Sequence, residues 1–360
     1  MLSHGEDKGR TLEETIMMPV WEDAASLESA NGKLWRDLRA SFDHHHRQLP
    51  PISSLEETFL KMDVAAVLGA LDMGATTTGS TSTSATTLVD SPGIMHLTLA
   101  GFGQWLFAEP VKSGDLHVLY KAAIAIRREV AMRGYGDSRS KRDGFDTVIR
   151  LLEASAYEPP PGRQWREREA FSAVLQPYII SPAVNVIDIL IALDSLCDLS
   201  VLAKRWTRKG YAAAREDIQA HLLEAMRLKH PFPVLERLHG RTQSFVPLDA
   251  LFPAGSPQSK FDPDAWRGPG GTRAHPADFV PFGIGPRRCP GRQIALGAVG
   301  ALLYNLLSSP ALDFQPALNH RDSGRTLDDA PAPLSESLHT LWRITSALWK
   351  FGTSPRRTVL

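Results

Sequence analysis

The run Phe282-Gly283-Ile284-Gly285-Pro286-Arg287-Arg288-Cys289-Pro290-Gly291 constrains this chain more than any other stretch. It sets one cysteine on a Gly/Pro-rich loop directly ahead of a strongly apolar helical segment. A thiolate needs help to stay ionised. The start of the segment that carries Ile294, Ala295, Leu296, Ala298, Val299, Ala301, Leu302 and Leu303 aims its positive dipole and free N–H groups back at the sulfur. Gly283, Gly285 and Gly291 let the backbone approach a flat macrocycle without side-chain clash. Pro286 and Pro290 remove N–H groups and stiffen the turn. Arg287 has the reach for a forked, charge-assisted hydrogen bond to an anionic carboxylate at the ring edge. A lone cysteine is more often an inert buried thiol; the alternative here is a thiolate presented to a flat macrocycle.

Length and charge leave room for a large core and exclude some partners. The chain has 360 residues, 43% of them apolar, and 40 basic residues balance 40 acidic ones. No basic surplus points to nucleic acid, and no acidic tail suggests a solvating segment. Only Cys197 and Cys289 occur, too few for a disulfide framework, so a reducing, cytoplasmic compartment is expected. The charged N-terminus has no continuous apolar core, and no stretch approaches the roughly 20 apolar residues of a membrane span. A soluble protein without a transmembrane segment is the expectation.

Periodicity is mostly helical. Apolar residues recur at three- and four-residue spacing over 33–42, 55–72, 115–133, 143–154, 168–204, 211–229 and 291–308. Strand signals are short: Ser244 to Leu248, and the regions around Phe314 and 341–348, where helix competes. Residues 74–87, rich in Thr and Ser, read as a flexible surface loop, and 158–163 as a break between two helices. Both are read as loops inside a single domain spanning 1–360. Asp43-His44-His45-His46 is read as a solvated helix end, because adjacent histidines on a helix cannot share one face. Cys197, on an apolar helix, is read as core.

The cysteine run satisfies F-x-x-G-x-R-x-C-x-G at all five defined positions, and in this it resembles the haem-ligand loop of the cytochrome P-450 family. The resemblance implies a mainly α fold with a small β-sheet, haem b as cofactor and Cys289 as axial thiolate, with Phe282, Gly283, Arg287 and Gly291 around the haem. Three weaker motifs follow in the family's order. Glu224 and Arg227 resemble its E-x-x-R pair, with Arg237 downstream as a propionate partner. Phe261-Asp262-Pro263-Asp264-Ala265-Trp266-Arg267 resembles the segment before the haem loop. There Ala265 stands where the family has an arginine that completes a triad with the helix pair, and Arg267 is the candidate replacement. Trp35 and Arg39 resemble W-x-x-x-R, whose side chains bond a propionate. Only 34 residues precede Trp35, so the implied fold is shortened at its N-terminus, and the segment between Arg237 and Phe261 is short as well.

The helix expected to cross above the haem falls at residues 180–188, where the family's monooxygenases carry an acid or amide followed by threonine. Here Ser181 is the candidate hydroxyl and Asn185 the candidate hydrogen-bonding partner of a distal oxygen. Pro182 either opens a kink there or marks a helix start capped by Ser181, with Asn185 then exposed. The resemblance implies a monooxygenase oxidising an apolar small molecule in secondary metabolism or lipid oxidation. Its electrons would come from a separate ferredoxin or reductase docking near Arg288 and Arg292, since no flavin or iron–sulfur motif occurs. Two alternatives stay open: a peroxide-dependent peroxygenase or hydroperoxide isomerase that needs no reductase, and a haem-binding relative without catalysis.

Overall fold

The structure, a computed structural model, describes residues 27, 30, 32–70, 87–130, 138–166, 171–231, 234–239, 242–247, 259–267, 281–283 and 287–316. Ten α-helices follow one another among these residues: α1 Gly32–His46, α2 Ile52–Lys61, α3 Val64–Gly69, α4 Ser91–Phe107, α5 Ser113–Val130, α6 Ser138–Glu153, α7 Ser181–Asp194, α8 Leu199–Lys209, α9 Tyr211–Leu228 and α10 Arg292–Ser308. A π-helical segment, Phe171–Ile180, runs directly into α7. The expected mainly helical class holds. Among the described residues the β structure forms two pairs: β1 Thr87–Val89 parallel to β4 Leu312–Phe314, and β2 Val234–His239 antiparallel to β3 Thr242–Pro247.

Local chemistry explains where the elements begin. Asp63 caps α3 by accepting from Ala66 N, which splits the expected 55–72 helix in two. Asp198 caps α8 in the same way, so the expected helical stretch 168–204 is divided after Asp194. Helix α4 carries no helical period in its sequence because nearly every residue on it is buried. Asp90 nonetheless caps it, accepting from Gly93 N at 3.0 Å, and Pro92 fits its first turn.

Helices α4, α7 and α10 form the centre of the core, with α2 laid along α10, α9 against α7 and α10, and α1 against the π segment. Trp206, Tyr178, Phe42, Phe59 and Phe102 are the largest fully buried side chains. Each contributes on the order of 1.5 to 3 kcal/mol of burial. The approach of α2 to α10 requires Gly297, where a β-carbon would lie 2.9 Å from Glu56 Oε1 and 3.2 Å from Ile52.

One helix corrects the expectation about membranes. Gln176–Asp194 is long and apolar enough to cross a bilayer, yet 71% of it is buried inside the fold, as befits a core helix. Residues 74–86 of the expected loop lie outside the described residues, and Thr87 belongs to β1. The region ahead of Leu27 and the strand signal at 341–348 also lie outside them.

Candidate active site

Buried polar groups on α9 lock one wall of the site. Arg227 donates to Glu224 through Nε (2.8 Å) and Nη2 (2.6 Å), with both side chains almost fully buried. Asp262 N and the Trp266 indole N–H complete the carboxylate's coordination at 2.9 and 2.7 Å, and Lys260 O accepts from Arg227 at 3.1 Å. Burial pushes the Glu224 carboxyl up, but these donors outweigh it and hold it below the usual range. The third partner of the pair is therefore Trp266. Arg267, the expected replacement for the arginine absent at Ala265, turns instead to Asp217 and Asp264.

Asp217 organises a second network that no sequence motif marked. Trp206 Nε1 donates to it at 2.8 Å, Arg205 Nη2 lies at 2.7 Å, His221 Nδ1 at 3.2 Å, and Arg267 closes the ring. Burial raises the Asp217 carboxyl, but the His221 and Trp206 hydrogen bonds, with the charges of His221 and Arg267, pull it far below its ordinary value. The segment 259–267 is thus pinned to α9 at two carboxylates.

From the end of α9 the fold reaches the cysteine loop. His230 Nε2 donates to Pro281 O at 3.1 Å, and Cys289 N donates to Phe282 O at 2.8 Å, closing the loop across its neck. Gly283 takes φ +71°, a left-handed conformation that favours glycine. Gly291 has an ordinary φ and caps α10 by position, so Cys289 stands ahead of that helix's N-terminus with its side chain exposed. Arg287 joins the loop to α1: its guanidinium lies 4.8 Å over the Trp35 ring, and Nη2 donates to Ala30 O at 2.8 Å.

A cavity of about 290 Å³ opens between this loop, α1 and the π–α7 helix. The cytochrome P-450 family model matches residues 256–328, the segment that contains the loop and all of α10. Solved structures match more broadly. CYP175A1 from Thermus thermophilus shares 18% identity at a TM-score of 0.57, over 85% of this chain and 78% of that one. A six-coordinated cytochrome P-450 from a second Thermus thermophilus strain shares 18% at 0.53, over 85% and 80%. The cytochrome P-450 CYP102L1 shares 16% at 0.52, over 84% and 81%. No curated protein matches the chain. The chain has the fold of the solved cytochromes P-450, and its cysteine-loop segment matches that family's model.

In this fold Cys289, Phe282, Gly283, Arg287, Gly291, Trp35, Arg39, Ser181 and Asn185 all line the one cavity. Arg237 lies on β2, opposite Ser244 of β3. Arg39 Nε holds Asp43 at 2.9 Å in a half-exposed i,i+4 pair, the kind worth about 0.3 to 0.5 kcal/mol, so a stronger anion can redirect it.

At Pro182 the structure overturns the expected helix start capped by Ser181. Helical backbone continues through Ile180 (φ −77°, ψ −50°), so no helix starts at Ser181 and its side chain caps nothing. Pro177 and Pro182 each remove an N–H and push on a preceding carbonyl, which favours the wider π turn between them. Asn185 is half-buried; its Nδ2 donates to Ser181 O at 2.8 Å and to Ser181 Oγ at 3.2 Å. Its Oδ1 is buried without a partner. Three residues before Ser181, Tyr178 also lines the cavity and bonds His46 Nδ1 at 2.7 Å. Sequence reasoning missed Tyr178 because it lies outside the 180–188 window.

The histidine tract is not a solvated helix end. His45 is fully buried among Tyr157, Trp165 and Tyr178, and burial lowers its pKa to about 4. Cys197 packs against the core, with its thiol pushed up to about 11 by burial, Asp194 and Asp198.

Proposed function

We propose that this protein is a haem-thiolate monooxygenase that oxidises an apolar small molecule. The observation that carries the reading is the convergence of Cys289, Trp35, Arg39 and Arg287 on one apolar cavity whose opposite wall holds a buried amide oxygen in need of a donor. This donor set fits haem b: a sulfur at the wall, two guanidiniums for carboxylate tails and apolar side chains for the ring faces. Cys289 would ligate the iron, Arg39 and Arg287 would hold the propionates with Arg237 as a third candidate, and Phe282, Gly283 and Gly291 would shape the loop. When bound, haem supplies activation of dioxygen or peroxide for oxygen insertion, with the thiolate's electron density favouring O–O cleavage.

The chain's own residues do the rest. Phe102, Val186, Ile189, Met226, Ile294 and Val299 line the cavity and select apolar substrates, such as a lipid or a secondary metabolite, while excluding water. Ser181 and Asn185 form a hydrogen-bonded pair that holds a proton or a water at the cavity wall. Arg288 is exposed beside the cysteine and offers a cationic contact to an acidic electron donor.

One observation favours a second reading. Helix α7 contains no threonine, the residue that accompanies dioxygen use in the family, and its one hydroxyl is that of Ser181. A peroxide-driven peroxygenase or hydroperoxide isomerase needs no reductase. Product formed per electron, with a ferredoxin–reductase pair, against product formed per hydrogen peroxide decides between them. Reductase-driven turnover supports the monooxygenase. Turnover with peroxide alone supports the second reading.

A further inference from the structure

The proposed function leaves open how a proton enters a cavity whose distal wall is apolar apart from a few groups. Tyr178 is 1% exposed, lies on the π segment and lines the cavity. Its hydroxyl is 2.7 Å from Nδ1 of His46, which sits in the last turn of α1, is only half-buried and does not line the cavity. The two rings are nearly parallel, 8° apart, and Phe42 stacks on both of them. The pair therefore joins the cavity wall to the solvent side of α1 through one hydrogen bond between rings held in place on two helices.

We propose that His46 and Tyr178 form the proton inlet of the Cys289 cavity, with His46 receiving protons from solvent and Tyr178 passing them inward. The proposal deepens the haem-thiolate reading and rests on it. In neutral His46 with its hydrogen on Nε2, Nδ1 accepts from the Tyr178 hydroxyl, whose hydrogen then points away from the cavity. Once His46 is protonated, Nδ1–H donates to Tyr178 Oη and frees the phenolic hydrogen for an acceptor in the cavity. Transfer breaks the Tyr178 O–H bond toward that acceptor as the Nδ1 proton moves to Oη. The imidazolium loses one proton, the acceptor gains one, and the tyrosine stays neutral.

The surroundings support a relay over a simple acid. Burial, with Asp43, drives the Tyr178 hydroxyl far above its ordinary pKa, so a free phenolate does not accumulate and loss must be matched by gain. Arg39 acts in the opposite sense, and Cys289 and Tyr157 also bear on the hydroxyl. His45 packs against the Tyr178 ring at 5.9 Å and, with its own pKa lowered to about 4, is neutral near pH 7. For His46, burial and Arg39 lower the pKa while Asp43 raises it, and the net is a decrease. Protonated His46 is thus the minor form at neutral pH and grows in as the solution is acidified.

The test reads the cavity's hydrogen-bond donor directly. In the haem-loaded, reduced, CO-bound protein, the infrared C–O stretch reports a donor near the ligand. The wild type should show a second band growing in below about pH 6.5, the ordinary histidine value. Tyr178→Phe and His46→Gln should each hold the high-pH band at every pH while keeping the thiolate-type CO absorption, which shows that both variants fold and ligate. Product formed per electron or per peroxide should fall roughly 10²-fold or more in both variants, the effect of losing a positioned proton-transfer group. A wild-type pH response preserved in both variants overturns the relay. A response lost only in Ser181→Ala or Asn185→Ala also overturns it and gives the role to that pair. A wild type without the thiolate-type absorption overturns the haem-thiolate reading itself, and the relay with it.

Discussion

Helices α9 and α7 both border the cavity, yet they treat their polar groups in opposite ways. On α9, Glu224 meets four donor contacts and Asp217 meets donors from four side chains, so each buried carboxylate is fully committed to structure. On α7 and the π segment before it, Asn185 keeps a buried oxygen without a partner, and two prolines loosen the helical turn. A saturated wall can only hold, whereas an unsaturated one can still bind. The difference separates a rigid scaffold for the cysteine loop from a wall that, on the proposed function, faces the ligand.

Breaking the saturated wall should cost most. Arg227→Ala leaves the Glu224 carboxylate buried without its cation, and a loss of about 3 to 5 kcal/mol in unfolding free energy is expected from denaturant titration. A loss under about 1 kcal/mol would mean that Asp262 N and Trp266 suffice.

Acid should then act through the buried histidines. His45 and His96 are both fully buried with pKa values of about 4, against 6.5 in the unfolded chain. The unfolded state binds the proton more tightly, so stability falls as pH drops from about 6.5 to 4, by about 3 kcal/mol for each group at the full shift. The depressed Asp217 carboxyl adds a further loss as pH falls through and below the ordinary carboxylate range. A melting temperature that is flat from pH 7 to 4 would contradict both burial assignments.

A smaller effect tests which residue completes the α9 network. Trp266→Phe removes the indole N–H from Glu224 and should cost about 1 to 3 kcal/mol. Arg267→Ala should act through Asp217 and leave the Glu224 pair intact, so the two effects should add nearly independently. Strong coupling between them would merge the networks into one. At the cavity rim, Arg39→Ala and Arg287→Ala should each weaken haem retention by about ten-fold, the equivalent of one charge-assisted bond.

Contiguous motifs were the legible part of this molecule. The loop at 282–291 announced itself because its chemistry needs glycine, proline, arginine and cysteine in one short string. Glu224 and Arg227 were legible because they are neighbours on one helix face. Helix α4 was not, since burial on every side erases the amphipathic period on which the reading depends. Trp266 was passed over for Arg267 because a motif reads residue type at a position, whereas the carboxylate takes whichever donor the 3-10 turn at Pro263–Trp266 aims at it. The solvated reading of His45 failed for a related reason: which side of a helix end is covered depends on Tyr157, Trp165 and Tyr178, more than 100 residues away. Tyr178 and His46 are 132 positions apart, and only the packing of α1 on the π segment joins them.

The most direct test of the account is the absorption spectrum of the reduced, CO-bound protein reconstituted with haem b. Wild type and Cys197→Ala should both show a thiolate-type band, and Cys289→Ala should lose it. A band that survives in Cys289→Ala, or vanishes in Cys197→Ala alone, would contradict the assignment of Cys289 as the axial ligand.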